Sequence, residues 1–155
     1  MNKIVMLLAG MLFLLSGPHV LAQQDAVFEN REAILERAKE AVPQITVQEL
    51  RQKIQDREDF VLLDVRDPDE WKAGVVDYHG LEKISRGMLE FTGPGVLNQH
   101  DRIVVLCATG ARSSLAAESL IRLGYTNVLH VQGGIIEWVE TGYPVKNRLG
   151  TLVKE

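Results

Sequence analysis

Cys107 is the single cysteine in this chain of 155 residues. An ionised cysteine is a strong nucleophile, but with no second cysteine it cannot form a disulfide within the chain. It is therefore a free thiol, a partner in a disulfide with another chain, or a group that does chemistry. A structural role is the alternative, because free cysteine is often a small buried hydrophobic residue. The residue type leaves these possibilities open, so its neighbours have to decide between them.

The residues that follow Cys107 form a short loop suited to holding a thiolate. This segment, the cysteine loop, comprises Cys107, Ala108, Thr109, Gly110, Ala111 and Arg112. At the start of a helix, such a loop can turn backbone N–H groups inward, and the helix N-terminus adds partial positive charge. These groups and a nearby guanidinium favour the ionised form of a cysteine. We expect a positive φ at Gly110, and we expect Ser113 to help cap the helix.

The structural interpretation of the same residues is that Cys107 packs beneath a strand end and Arg112 is a solvated residue of the first helical turn. A cation in that turn opposes the helix dipole, so an acidic residue would be more typical there. The pattern therefore favours a chemical role for the loop.

The elements around the loop predict an α/β domain. The continuous apolar run at 60–63 and the largely apolar segments at 102–106 and 127–131 are typical of strands buried on both faces of a parallel sheet. Helical patterns alternate with them, at 46–54, 67–74, 110–124 and 135–140, and Val75-Val76 is a further candidate strand. The fold class is thus a mostly parallel central sheet with helices on both faces. Ligands of such sheets bind beyond the carboxyl ends of the strands, where Cys107 lies.

The N-terminal segment has the pattern of a signal peptide over residues 1–22. A basic start is followed by an apolar run from Ile4 to Leu15, and Ala22 is the expected cleavage point. A membrane anchor is the alternative, but this run is shorter than the ~20 residues that span a bilayer. The remaining predictions are a leader and helix over 23–43, with Gln23–Glu29 flexible, a domain over 44–147 and a C-terminal tail over 148–155.

Composition excludes several classes of protein. The net charge is −4 and no basic run is present, so a nucleic-acid partner is not expected. His79, His100 and His130 are too scattered to predict a metal site. No stable membrane span is expected once the signal peptide is removed.

Several segments together resemble the rhodanese family, and the similarity runs through most of the chain after the signal peptide. They are Leu62-Leu63-Asp64-Val65-Arg66, Asp69-Glu70-Trp71, the segment from Ser85 to Phe91, the cysteine loop, Gly133-Gly134 with Trp138, and Gly142-Tyr143-Pro144. The chain departs from the family pattern after Gly74, where Val75-Val76-Asp77-Tyr78-His79 replaces a histidine and a Pro-Gly-Ala turn.

The resemblance implies a single rhodanese-like domain that acts as a sulfurtransferase. Cys107 would carry a sulfane sulfur as a persulfide, and Ala108, Thr109, Gly110, Ala111 and Arg112 would cradle it. Arg86 would help bind an anionic donor or, alternatively, be a solvated residue at a helix start. Asp64, Arg66 and Ser113 would support the site. The six-residue loop is the length associated with sulfur transfer; phosphatases of similar architecture have seven residues.

The resemblance also implies the partners. The donor would be a small anion such as thiosulfate, a polysulfide or a persulfide, and the acceptor a thiol or a thiol-reducing protein. No metal and no organic cofactor is implied. Because of the predicted signal peptide we expect an exported protein, in the periplasm or outside the cell. The alternative functions are a non-catalytic binding or sensor module and a thiol-redox protein of the cell envelope.

Overall fold

The structure, a computed structural model, describes residues 18–153. By its internal contacts the chain divides into two units, residues 1–36 and 37–155. Most of the predicted signal peptide, residues 1–17, lies outside the described residues, and the expected cleavage point after Ala22 lies within a helix. No described helix combines the length and apolar character that crossing a membrane requires.

The described residues form alternating helices and strands. The helices are α1 (Pro18–Ala41), α2 (Val47–Gln55), α3 (Pro68–Ala73), α4 (Leu89–Thr92), α5 (Ala111–Arg122) and α6 (Gly134–Glu140), with 3₁₀ turns at Arg86–Met88 and Gly93–Gly95. The strands are β1 (Gln44–Ile45), β2 (Val61–Asp64), β3 (Leu81–Lys83), β4 (Ile103–Leu106), β5 (Val128–Val131), β6 (Val145–Asn147) and β7 (Gly150–Leu152).

Five of the described strands form a parallel sheet in the order β1-β5-β4-β2-β3. All four residues of β4 are buried, as expected for the central strand of a sheet covered on both faces. One apolar cluster includes Ala116, Ala117 and Leu120 of α5. The cluster on the opposite face includes Leu50 of α2 and Trp138 of α6. The predicted fold class is confirmed.

The local signals for helix starts are confirmed at α2 and α3. Thr46 and Glu49 form a reciprocal capping box at the start of α2. At the start of α3 the N–H of Asp67 donates to the Glu70 carboxylate at 2.9 Å, with Pro68 in the first turn, and α3 ends before Gly74. The start of α3 matters for function because it fixes the position of the Glu70 carboxylate.

Two predictions about the periphery were wrong, and one edge strand was missed. The expected flexible leader, Gln23–Glu29, is helical and part of α1, as its lack of Gly and Pro permits. Val75 forms an isolated antiparallel bridge with Lys146 rather than a sheet strand. The edge strand is β3, whose exposed Glu82 and Lys83 give no apolar run. Part of the predicted tail forms β7, which pairs with β6.

Candidate active site

Cys107 lies at the carboxyl edge of the sheet, directly after its central strand. In the register of the sheet, Leu106 is paired with Asp64 at the end of β2. Cys107 is fully buried and belongs to the apolar cluster on the α5 face. The sulfur therefore sits at the base of the cysteine loop, deeper than the sequence suggested.

The Sγ of Cys107 is bound by the loop that follows it. The backbone N–H of Gly110 donates a hydrogen bond to Sγ at 3.1 Å. Gly110 has a φ of 100°, so the predicted left-handed conformation is present. A donor aimed at the sulfur stabilises its ionised form. The loop thus supplies at least one of the inward N–H groups that the sequence led us to expect.

Ser113 contacts the sulfur instead of capping the helix. Its Oγ lies 3.5 Å from the Sγ of Cys107 and donates a hydrogen bond to the carbonyl of Gly110 at 2.9 Å. The N-cap residue is Gly110, which has no side chain that could make a capping hydrogen bond. The predicted capping role was wrong because Ser113 lies inside α5, where its hydroxyl faces a carbonyl three residues earlier.

The start of α6 fixes the other side of the cysteine loop. The N–H groups of Ile135 and Ile136 donate to the carbonyls of Cys107 and Ala108 at 2.9 and 3.1 Å. Because a trans peptide points its C=O and N–H in opposite directions, the two loop peptides direct their N–H groups away from α6. A Cβ on Gly134 would lie 2.5 Å from each of these carbonyl oxygens. Gly134 therefore allows the close approach of helix and loop.

Arg112 is paired with carboxylates of α3. Its guanidinium makes two hydrogen bonds of 2.7 Å to Glu70 and a longer contact of 3.4 Å to Asp67. These hydrogen bonds lower the pKa of Glu70 from 4.5 to about 2 and raise the pKa of Arg112. The fold brings Glu70 to Arg112 from 42 residues away, a pairing that the sequence analysis did not predict. A Coulombic interaction with Cys107 also contributes to the raised pKa of Arg112, so the predicted action of this guanidinium on the thiol stays a prediction.

Asp64 and Arg66 form the ion pair that the sequence suggested. The Nε of Arg66 lies 2.9 and 3.0 Å from the two carboxylate oxygens of Asp64, and both residues are buried. The same guanidinium donates to the carbonyls of Gly74 at 2.8 Å and Glu70 at 3.4 Å. The buried pair therefore holds α3, the helix that carries the partner of Arg112, at its third residue and at the residue just after its end.

Arg86 does not join the loop. Its guanidinium pairs with Glu90 at 2.9 Å and donates to the Oγ of Ser119 at 2.9 Å. Ser119 lies two turns beyond the start of α5, so the structure does not support the predicted donor-binding role of Arg86.

The remaining loop residues form the outer rim. Thr109 is exposed, and Ala108 and Ala111 are half-buried. Their predicted role in binding the transferred sulfur stays a prediction.

Sequence reasoning missed three residues near the loop. Glu70 enters the sequence analysis only as part of the Asp69-Glu70-Trp71 segment, and nothing local indicates its partner. Gly134 was noted as part of a motif, but its close contact with the loop depends on tertiary packing. His130 was considered only as a metal ligand; it is a buried side chain in a pocket beside the loop. Within residues 18–153, no group of three or more His, Cys, Asp or Glu side chains could hold a metal ion.

Comparison with known proteins agrees with this geometry. A family model described as Rhodanese-like domain matches residues 46–141. A sulfurtransferase of Allochromatium vinosum is 32% identical over 104 residues, which are 67% of this chain and 94% of that protein. The probable adenylyltransferase/sulfurtransferase MoeZ of Mycobacterium tuberculosis is 34% identical over 102 residues, or 64% of this chain. The chain spans only 25% of that relative's length.

A similar solved structure is the polysulfide-sulfur transferase homodimer of Wolinella succinogenes. It is 33% identical in sequence and superposes with a TM-score of 0.66. The match covers 80% of this chain and 90% of that one.

Proposed function

Because this chain belongs to the rhodanese-like domain family, we propose that it is a sulfurtransferase that carries a sulfane sulfur as a persulfide on Cys107. The observation that carries the proposal is the 3.1 Å hydrogen bond from the Gly110 N–H to Sγ at the carboxyl edge of the sheet. This bond places a backbone donor on the sulfur of the proposed carrier, at the start of α5. The sulfurtransferase names of its relatives give the reaction class.

The reaction is a double displacement. The Cys107 thiolate attacks the terminal sulfur of the donor, the donor's S–S bond breaks, and its electron pair leaves with sulfite if the donor is thiosulfate. An acceptor thiolate then attacks the outer sulfur of the Cys107 persulfide. The Sγ–S bond breaks, its electron pair returns to Sγ, and the acceptor leaves as a persulfide. No external oxidant or reductant is needed, and the acceptor thiol releases its proton before it attacks.

The charges around the loop bear on the donor. Arg112 is balanced by Glu70 and Asp67, and Arg86 by Glu90. Both cations that the sequence offered to a dianion therefore already have acidic partners. We propose that low-molecular-weight thiol persulfides, which do not require a site for a dianion, are donors at least as good as thiosulfate. The Wolinella neighbour is named for polysulfide.

The test is mass spectrometry of the protein after incubation with thiosulfate, polysulfide or a thiol persulfide. We expect the mass of one sulfur atom on the peptide that contains Cys107, with charging by the thiol persulfide at least as fast as charging by thiosulfate. The matched control is Cys107→Ser, which keeps the size of the side chain and should show neither the added sulfur nor any transfer. Wild-type protein that gains no sulfur from any donor, or full transfer by Cys107→Ser, would overturn the proposal.

We also propose that the protein is exported to the periplasm, on the basis of the sequence pattern in residues 1–22. Fractionation of cells that express the full chain with a C-terminal tag tests this. The expected mature N-terminus is Gln23. Recovery of uncleaved chain from the cytoplasm alone would contradict it.

A further inference from the structure

The hydroxyl of Ser113 lies against the sulfur of Cys107. Its Oγ is 3.5 Å from Sγ, and the same hydroxyl donates its proton to the carbonyl of Gly110 at 2.9 Å. The side chains of Cys107 and Ser113 are both fully buried. Because its proton is engaged with the carbonyl, the hydroxyl presents a lone pair to the sulfur. It can therefore accept a hydrogen bond from the S–H group of the resting thiol.

The carbonyl of Gly110 does not depend on this hydroxyl for a donor. The backbone N–H of Ser114 donates to the same carbonyl at 3.0 Å. If Ser113 turns its O–H bond away, the carbonyl keeps a partner, so no buried acceptor is left unpaired. The hydroxyl of Ser113 thus has two alternative acceptors within reach, the Gly110 carbonyl oxygen and Sγ.

The charge on Sγ decides which of these two acceptors is the better one. In a persulfide, Sγ is a neutral bridging sulfur and a weak acceptor, so the carbonyl keeps the proton of the hydroxyl. When an acceptor thiolate attacks the outer sulfur, the Sγ–S bond breaks and its electron pair passes to Sγ. Hydrogen bonds to charged atoms are about twice as strong as those between neutral groups. At that moment the hydroxyl is better placed on Sγ.

We propose that Ser113 is a catalytic residue for the release of the sulfur, and that its hydroxyl turns from the Gly110 carbonyl to Sγ as the Sγ–S bond breaks. It joins the N–H of Gly110, which already lies 3.1 Å from Sγ. The O–H bond of Ser113 stays intact and the electron pair stays on Sγ, so no proton is transferred. Because the interaction is stronger in the transition state than in the persulfide, it accelerates the discharge. This inference rests on the proposed sulfurtransferase function.

The next residue of α5 is a matched control. Ser114 is also fully buried, and its hydroxyl also donates to the carbonyl three residues earlier, that of Ala111, at 2.9 Å. Replacing either serine by alanine removes the same kind of hydrogen bond from the first turns of α5, and alanine is a good helix former. Of the two substitutions, Ser113→Ala is the one that removes the contact with Sγ.

The kinetic test starts from the persulfide, so that the charging step does not contribute. Each protein is loaded until its mass shows one added sulfur, and the loss of that sulfur to a thiol is followed by mass spectrometry. Ser113→Ala should lower the discharge rate roughly tenfold, and Ser114→Ala should leave it unchanged. Ser113→Thr keeps a hydroxyl that can bond the carbonyl of the preceding turn, and it should restore most of the rate.

The choice of thiol separates this role from a structural one. The hydroxyl acts on Sγ and not on the attacking thiol, so the factor lost in Ser113→Ala should be the same for β-mercaptoethanol as for the larger glutathione. A distorted site would change the two rates by different factors. Urea unfolding of Ser113→Ala and Ser114→Ala should show similar losses of unfolding free energy, because the two hydrogen bonds within α5 are alike.

A second measurement does not require sulfur transfer. Cys107 is the single cysteine of the chain, so the infrared S–H stretching band of the resting protein has one source. A hydrogen bond to the oxygen of Ser113 lowers the frequency of this band. In mildly acidic buffer, in which an ordinary thiol is protonated, the band of Ser113→Ala should lie at higher frequency than that of wild type. Ser114→Ala should leave the band in place.

The outcomes separate the two proposals. If Cys107 gains sulfur but Ser113→Ala releases it no more slowly than Ser114→Ala, the role of Ser113 is overturned and the sulfurtransferase stands. An S–H band that does not move in Ser113→Ala also overturns the role of Ser113. If Cys107 gains no sulfur from any donor, the sulfurtransferase fails, and the role of Ser113 in releasing that sulfur fails with it.

Discussion

Two arginine–carboxylate pairs lie near the cysteine loop, and they differ in burial. The side chains of Arg66 and Asp64 are 5% and 0% exposed, whereas those of Arg112 and Glu70 are 33% and 34% exposed. In the inner pair, Arg66 and Asp64, the guanidinium also donates to the backbone carbonyl of Glu70 in α3 and to that of Gly74 just after its end. Arg112 and Glu70, the outer pair, connect α3 to the loop. The difference indicates that the inner pair maintains the scaffold, while the outer pair sets the charge at the rim of the site.

The largest expected effect comes from breaking the inner pair. Asp64→Ala leaves the guanidinium of Arg66 buried without its counter-ion, which costs about 3–5 kcal/mol of unfolding free energy. Equilibrium urea unfolding measures this. The double variant Asp64→Leu with Arg66→Met removes both charges and should be more stable than Asp64→Ala. If the single variant loses less than about 1 kcal/mol, the inner pair does not have the role that we assign to it.

Compared with breaking the inner pair, removing the charge of Glu70 should lower the free energy of unfolding less and change the rate of Cys107 charging more. Glu70→Gln keeps an oxygen for the capping box of α3 but frees the charge of Arg112. We expect a loss of about 0.2–1 kcal/mol in unfolding free energy, since the pair is partly exposed. The rate of Cys107 charging at subsaturating thiosulfate should rise, because the loop then has an unbalanced cation for the dianion. Arg112→Gln should lower that rate.

The matched control for these variants is Arg86→Gln. Its guanidinium pairs with Glu90 and Ser119, so the charging rate should not change. A loss with Arg86→Gln equal to that with Arg112→Gln would mean that the donor reaches Arg86, contrary to our interpretation of the structure.

The smallest effect is the pH dependence of the outer pair. The pKa of Glu70 is about 2 in the folded protein, against an ordinary value of 4.5. The ionised carboxylate therefore stabilises the folded state fully at pH values above about 4.5. That contribution is lost as the pH falls from about 4.5 to about 2. Urea unfolding across this range should show the difference between wild type and Glu70→Gln shrinking towards zero. A ¹³C NMR titration of the Glu70 carboxyl with a midpoint near 4.5 would contradict the pairing.

Much of the fold was accessible from the sequence because its signals are local. The buried runs of β2, β4 and β5 predict strands, and the capping box at Thr46 predicts the start of α2. The edge strand β3 was missed, because a strand with solvent on one side and exposed Glu82 and Lys83 lacks an apolar run. The helical state of Gln23–Glu29 was missed because its composition permits a helix without marking its start.

The sequence by itself determined the chemistry that is available at the site. It provides a lone thiol directly after a buried strand, a glycine where the loop must turn, and an ion pair, Asp64 and Arg66, whose members are two residues apart. These features depend on neighbours along the chain, so local patterns report them.

Only the tertiary structure decided the electrostatics and the access around the thiol. It gave Arg112 the carboxylate of Glu70, put the start of α6 against the loop carbonyls, and enclosed His130 beside the loop. These contacts join residues that are far apart in the chain. Their physical reason is that parallel strands bring their carboxyl ends to one edge of the sheet, and the packing of the helices there determines which charges meet.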